Sequence, residues 1–222
     1  METTEMHRDD PALHTFAATV VAIHPDGTIE LDRTAFYARA GGQRGDTGWI
    51  GGIEVMETIY NTERSAVLHR CGPQAHARLK IGDTVDAQID WHKRYPTMQL
   101  HTAQHLAYLA AVALTGIRES SGGDIDQNRA RVDLPRLNDD RPLSSAELGE
   151  YLTSLVERDL PINRFVDAAD PRLWWWEIEG HPAIPCGGTH VSRTSEIGDV
   201  DLTVKRKGAR NTRITVTRTP LN

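Results

Sequence analysis

The chain has 222 residues, 39% of them hydrophobic and 25% charged, with a formal net charge of −6. This is ordinary globular composition, with enough length for one large domain or two modest ones. No apolar run is long enough for a membrane-spanning helix, two cysteines cannot make a disulfide framework, and an acidic body argues against nucleic-acid binding over the whole surface.

The opening METTEMHRDDP is polar and acidic and lacks the apolar stretch of a signal peptide. Residues 1–14 are therefore expected to be a frayed polar tail, and the protein cytoplasmic. TFAATVVAI and TIELDR flank His24-Pro25-Asp26-Gly27, a turn signal between two alternating runs. GWIGGIEVMETIY, SAVLHR and TVDAQID continue at barrel-like spacing, so residues 15–92 read as a small β-barrel domain. Cys71, in the turn-like RCGPQ, reads as a plain free thiol.

The pattern changes at Trp91, which puts a boundary near residues 90–95. PTMQLHTAQHLAYLAAVALTG predicts a helix with Thr97 as N-cap and Gly116 as stop, apolar on nearly every face and so buried. Ser144 and Glu147 form a capping-box pattern ahead of a second helix, SSAELGEYLTSLVERD. ARVDL, INRFVDA, WWWEIE, DVDLTVKR and TRITVTR are strand-like. The fold class expected for residues 93–222 is thus α+β, a mostly antiparallel sheet with a central helix. In Trp174-Trp175-Trp176, alternate indoles are expected in a core rather than as stacking platforms.

Two short motifs carry the chemistry. His101 and His105, in HTAQH, are four apart on the first helix and project from one face. About eighty residues later PCGGTH places Cys186 and His190 four apart, with Gly187 and Gly188 expected to allow the sharp turn that brings the imidazole back to the sulfur. A helical His pair alone reads equally well as core packing. With the second half-site in the same domain, a thiolate and three imidazoles make a good donor set for a borderline-soft ion such as Zn2+. Histidines dominate and two of them come from a helix that has no need of a metal to fold, which favours a reaction centre over a structural knuckle. Thr102 occupies the place where a zinc protease of the H-E-x-x-H kind has its general base, so that chemistry is excluded. A centre with no carboxylate base suits a labile bond.

Residues 203–218, TVKRKGARNTRITVTR, reverse the overall charge locally with Lys205, Arg206, Lys207, Arg210, Arg213 and Arg218 and no acid. They read either as a docking patch for an RNA backbone or as a solvated edge hairpin.

HTAQHL, then PCGGTHV, then EIG resembles the editing domain of alanyl-tRNA synthetases and its free-standing relatives, the alanyl-tRNA editing proteins of AlaX type. FYARAGGQRGDTG (36–48) is similar to the family's F-Y-P-x-G-G-Q-x-x-D-x-G signature, with Ala38 in place of Pro, and KRKGARNTRI resembles its C-terminal basic strand. The likeness runs over about residues 15–218. It implies hydrolysis, in trans and without ATP, of the ester joining serine to the tRNA for alanine, with the acceptor end of the mischarged tRNA as partner. It further implies a zinc site of His101, His105, Cys186 and His190, and it places Gln43 in the seryl pocket. Gln43 and Thr102 are suitable polar groups for sensing the serine hydroxyl, and Lys205, Arg206, Lys207, Arg210 and Arg213 for the tRNA backbone. Two other readings stand beside this one: a Ser-tRNA(Thr) deacylase of the threonyl editing type, and a non-catalytic RNA-binding module with structural zinc.

Overall fold

The computed structural model describes residues 2–135 and 143–219. The chain divides into two compact units, one of residues 1–40 and 44–94, the other of 41–43 and 95–222. It is a mixed α/β protein whose sheets are antiparallel except for one short parallel pair.

The first unit contains β1 (Thr4–Glu5), β2 (Thr15–Ile23), β3 (Thr28–Leu31), β4 (Arg33–Thr34), β5 (Gly48–Ile50), β6 (Ile53–Val55), β7 (Glu57–Tyr60), β8 (Val67–Arg70), the single-turn α1 (Ala75–Arg78) and β9 (Thr84–Ile89). Seven strands form one sheet in the order β6-β5-β9-β2-β3-β8-β7. Among the described residues no ladder joins its edge strands β6 and β7, which follow one another in the chain with only Met56 between them. Strict alternation in β9, whose every second residue is buried, turns Val85, Ala87 and Ile89 onto Val20, Ile29, Leu31 and Phe36. Gly27, at φ +84°, closes the β2–β3 turn where a Cβ would lie 1.8 Å from the Gly72 carbonyl oxygen, so only glycine fits. Cys71 is part of this core, and burial pushes its thiol up to about 12.

The N-terminal segment corrects the expectation of a frayed tail. The amide of Thr3 donates to the Ser65 carbonyl (3.1 Å), β1 pairs in parallel with β4, and His7 is buried edge-on against Tyr37. Its polar composition hid this because backbone pairing ties down its start, while its few apolar side chains, Met6 and Leu13, pack against the core. Asp46 anchors the 36–48 loop: it accepts the Tyr37 amide (2.6 Å) and is gripped by Nε of buried Arg94 (3.0 and 2.9 Å). A buried ion pair needs such additional hydrogen bonds, and Arg94 also donates to the Ala35 carbonyl (2.6 Å).

Helix α2 (Trp91–Thr115) begins six residues before the expected N-cap and carries Pro96 inside. Thr97 is therefore not its N-cap. The helix opens after Asp90, whose carbonyl accepts the Arg94 amide (3.0 Å), and proline near a helix start loses one hydrogen bond without ending the helix. Gly116, at φ +75°, stops it as expected, its amide donating to the Val112 carbonyl (2.8 Å). From Thr97 to Ala107 every residue is buried.

The second unit continues with β10 (Gly122–Ile125), β11 (Arg129–Pro135), α3 (Ser145–Glu157), β12 (Ile162–Val166), β13 (Trp174–Ile178), β14 (Ile184–Pro185), β15 (Val200–Lys207) and β16 (Asn211–Arg218). They form two antiparallel sheets, β10-β11-β16-β15 and β12-β13-β14. Ser144 caps α3 by accepting the Glu147 amide, and the helix packs on β15. Leu148, Leu152 and Leu155 follow the helical repeat and are buried, as are Val132, Leu134, Ile214 and Val216 on one face of the larger sheet.

Candidate metal centre

The two motifs meet. One donor atom from each of His101, His105, Cys186 and His190 lies within 4.8 Å of every other. α2 supplies the first pair through its four-residue spacing, and the chain leaving β14 supplies the second. Cys186 is fixed by its amide, which donates to the Trp174 carbonyl (2.8 Å). Its Sγ stands 3.5 Å from His101 Nε2 and 3.2 Å from His190 Nε2. A tetrahedral ion with ordinary metal–sulfur and metal–nitrogen bonds sets such atoms about 3.5 Å apart, so the donor set fits a metal ion in spacing as well as in kind.

Two of the three imidazoles are oriented by a hydrogen-bond partner. The Thr189 amide can only donate, and it donates to Gln43 Oε1 (3.0 Å), which fixes the Gln43 amide. His101 must then donate from Nδ1 to that same oxygen (2.9 Å), leaving the Nε2 lone pair toward Cys186. Gln43 Nε2 completes the arrangement by donating to Thr189 Oγ1 (2.9 Å). On the other side the Thr102 hydroxyl donates to the Met98 carbonyl (2.9 Å), so its oxygen accepts from His190 Nδ1 (3.1 Å), and His190 likewise turns Nε2 to the sulfur. His105 packs edge-on against Trp176, ring centroids 4.8 Å apart, and its buried Nδ1 has no protein partner.

Burial first, then the Arg164 charge, pulls His101 down to about 3. Burial likewise pulls His105 and His190 well below their ordinary value, reinforced by the neighbouring imidazoles. All three are thus neutral lone-pair donors. Burial pushes the Cys186 thiol up to about 11, against the opposing pull of the Gly188 amide and Arg164, so a cation among the donors is what would hold the sulfur as a thiolate.

The pair of glycines works differently from the expectation. Neither Gly187 nor Gly188 adopts a positive φ. At Gly188 a Cβ would stand 2.3 Å from His101 Cε1 and 2.8 Å from Gln43 Oε1, so the residue must be glycine for space. Gln43 and Thr102 are both fully buried, with their oxygens hydrogen-bonded to His101 and His190.

The basic strand pair divides. Lys205, Arg206, Lys207 and Arg210 are exposed. Arg213 is partly buried and binds both carboxylate oxygens of Asp133 (2.7 and 2.8 Å), which spends its fork on the sheet. Trp174, Trp175 and Trp176 alternate: Trp176 is buried against the histidines, while Trp175 on the opposite face donates its indole N–H to Asp167 (2.9 Å). Three contributors around the cluster have tasks that the sequence did not show: Thr189, which binds Gln43, Arg164, and Trp176 as the wall behind His105. Only Thr189, inside CGGTH, carried a local signal.

Against known proteins, the chain is 32% identical over 207 residues to the alanyl-tRNA editing protein AlaX-M of Pyrococcus horikoshii, an overlap covering 89% of each chain. It belongs to the AlaX family of alanyl-tRNA editing proteins. Two family profiles agree, class II (A) tRNA synthetases over residues 11–93 and the threonyl and alanyl tRNA synthetase second additional domain over residues 176–215. Alanine–tRNA ligases match as well: that of Methanococcus maripaludis at 31% over 193 residues, 78% of this chain, and that of Saccharolobus islandicus at 28% over 232 residues, 90% of this chain. This AlaX member spans only 21% and 25% of those two ligases. Among the described residues no helix is long and apolar enough to cross a membrane.

Proposed function

We propose that this AlaX-family protein is a trans-editing hydrolase that removes serine from mischarged Ser-tRNA(Ala) at a zinc ion held by His101, His105, Cys186 and His190, acting in the cytoplasm without ATP. The observation that carries the reading is the convergence of four donor atoms within 4.8 Å with the histidines at 101 and 190 pre-oriented, in a chain of this family. In the same reading the first unit is a small β-barrel, its edge strands being consecutive in the chain.

When bound, zinc supplies Lewis-acid polarisation of a carbonyl and a water acidified toward neutrality. The chain's own residues do the rest. Gln43 and Thr102 hold two imidazoles in the ligating tautomer, and Trp176 closes the wall behind His105 and keeps bulk water from it. No carboxylate belongs to the cluster among the described residues, which suits an aminoacyl ester, already activated and in need of positioning more than of a strong base. Sparing Ala-tRNA(Ala) requires a site that hydrogen-bonds the serine hydroxyl, since such a site rejects the analogue lacking it by on the order of 10⁴-fold. Exposed Lys205, Arg206, Lys207 and Arg210 are the residues proposed to meet the tRNA backbone.

The test is deacylation of Ser-tRNA(Ala), Ala-tRNA(Ala) and Ser-tRNA(Thr) side by side with the zinc-loaded protein. Fast loss of serine from the first alone is expected. Preference for Ser-tRNA(Thr) would move the protein to the threonyl editing type, a relation already present in the shared domain profile. Inertness toward all three would leave an RNA-binding module with structural metal.

A further inference from the structure

One side of the sheet β12-β13-β14 carries the cluster, and its rows differ in burial. Residues directly opposite in antiparallel strands share a face, and so do residues two apart along a strand. Arg164, Trp176 and Ile184 form one row, in which Trp176 packs on the cluster with ring centroids 4.8 Å from His105 and 5.8 Å from His190. The next row on the same side holds Trp174. Val166 is its partner in β12, and across the other ladder its carbonyl accepts the Cys186 amide (2.8 Å). Val166, Trp174 and Cys186 thus stand side by side. Trp176 and, beyond it, Ile178 are fully buried. In the outer row Trp174 and Cys186 are half-buried, Val166 is 44% exposed, and Gly187 next to it is exposed. His101, His105 and His190 are all buried, so the cluster meets solvent at Cys186, beside Trp174. The Arg164 guanidinium covers one side of the Trp174 indole, 5.4 Å from the ring centre, and fixes its plane. The accessible part of Trp174 is the rest of that ring, at the mouth of the centre. The expected burial of alternate indoles therefore holds for Trp176 and stops at Trp174.

We propose that Trp174 is a binding residue, a stacking platform for the adenine of the nucleotide whose ribose carries the ester. The proposal rests on the hydrolase reading above. In that reading the scissile ester has to reach the cluster from its open side. The base hangs on the same ribose as the ester, so base and ester arrive together, and the indole beside Cys186 is the aromatic surface that they meet. An acceptor end is single-stranded, and an unpaired base gains by taking one face out of water against an aromatic ring. Phosphate contacts at exposed lysines and arginines give affinity and register along the backbone, but they leave the last ribose free to turn. A stacked base fixes its own plane and with it the ribose, which presents the ester to the cluster in one orientation. Stacking is blind to the amino acid esterified. It contributes to holding the substrate and not to the choice between serine and alanine.

Two uncleavable probes test this on the zinc-loaded full chain by calorimetry: adenosine carrying serine through a 3′-amide, and the same seryl amide on a ribose with hydrogen in place of the base. The wild type is expected to bind the adenosine probe on the order of 10- to 100-fold more tightly, the contribution of one stacked base. Trp174→Leu keeps apolar bulk without an aromatic face. It should remove that preference while leaving the baseless probe and the zinc content as in the wild type. Trp174→Phe should keep most of the preference, and an alanyl amide of adenosine should weaken in Trp174→Leu by the same factor as the seryl one. Equal weakening of both seryl probes in the leucine variant would overturn the proposal and make Trp174 a support for Cys186. A leucine variant that matches the phenylalanine one would overturn it in favour of plain apolar packing. A shift in oligomeric state with the preference intact would assign the patch to a second copy of the chain and overturn it as well. A wild type that binds neither probe sinks the hydrolase reading and this proposal with it. A wild type that binds both probes equally sinks the platform alone.

Discussion

By burial and charge state, His69 in the first unit resembles the cluster histidines of the other. His69 is fully buried, and burial pulls it down to about 4, as burial pulls His101 to about 3. The difference lies in how each ring uses its two nitrogens. His69 donates from Nδ1 to the Ile29 carbonyl (3.0 Å) and accepts at Nε2 from the Thr34 hydroxyl (2.9 Å), so both positions are spent on the core. His101 and His190 spend only Nδ1 and point Nε2 at one sulfur. Desolvation alone thus does not mark a centre. Lone pairs held in reserve and aimed at a common point do.

The largest contrast should come from deleting one histidine of each kind. His105→Ala is expected to abolish metal binding, from about one ion per chain to none, and to lower hydrolysis by on the order of 10³-fold or more. His69→Gln should keep the metal and cost about 1–3 kcal/mol of stability through unsatisfied core groups. Elemental analysis beside urea unfolding reads both; metal retained at full level in His105→Ala would remove it from the ligand set.

An intermediate effect is expected from the residues that hold the reserve in place. Thr102→Val and Gln43→Leu each free an Nδ1–H and should cost about 10- to 100-fold in metal affinity or activity. Chelator competition reports the first, and kcat/KM on seryl- and alanyl-tRNA the second. The two rates should fall by the same factor. A fall in the serine rate alone, with metal affinity unchanged, would return these residues to the serine-sensing role that the sequence suggested.

The smallest effect concerns acid. The fold holds His69 neutral, so between about 6.5 and about 4 the unfolded chain binds a proton that the folded chain does not. The contribution is complete above pH 6.5 and is lost as pH falls through that window, in all about 3 kcal/mol. The cluster histidines act in the same direction, so the informative quantity is a difference: His69→Gln should flatten the pH dependence of urea stability by about one proton. An unchanged slope would mean that His69 remains neutral or ionises equally in both states.

What the sequence revealed depended on distance along the chain. The two pairs that come together in the cluster were legible because each lies within one helical turn or one short loop, and the strands of the first unit because alternation is local. Gln43 was quoted from the GGQ motif, yet its task was hidden, its partners being 58 residues away at His101 and 146 at Thr189. Arg213 looked like its exposed neighbours because Asp133, its partner, is 80 residues off. The start of α2 was misplaced for a local reason: Pro96 reads as a boundary, and the polar WHKRY stretch ahead of it gives no apolar periodicity.

Residues 41–43 leave the first unit to join the second, carrying Gln43 to His101. The second unit is therefore not a cassette that can be lifted out at Tyr95. A fragment cut there would keep all four cluster residues and lose the amide that tells His101 which nitrogen to present. Exchange of parts between relatives would have to move this tripeptide together with the rest, which couples the GGQ segment to a histidine and cysteine cluster far from it in the gene.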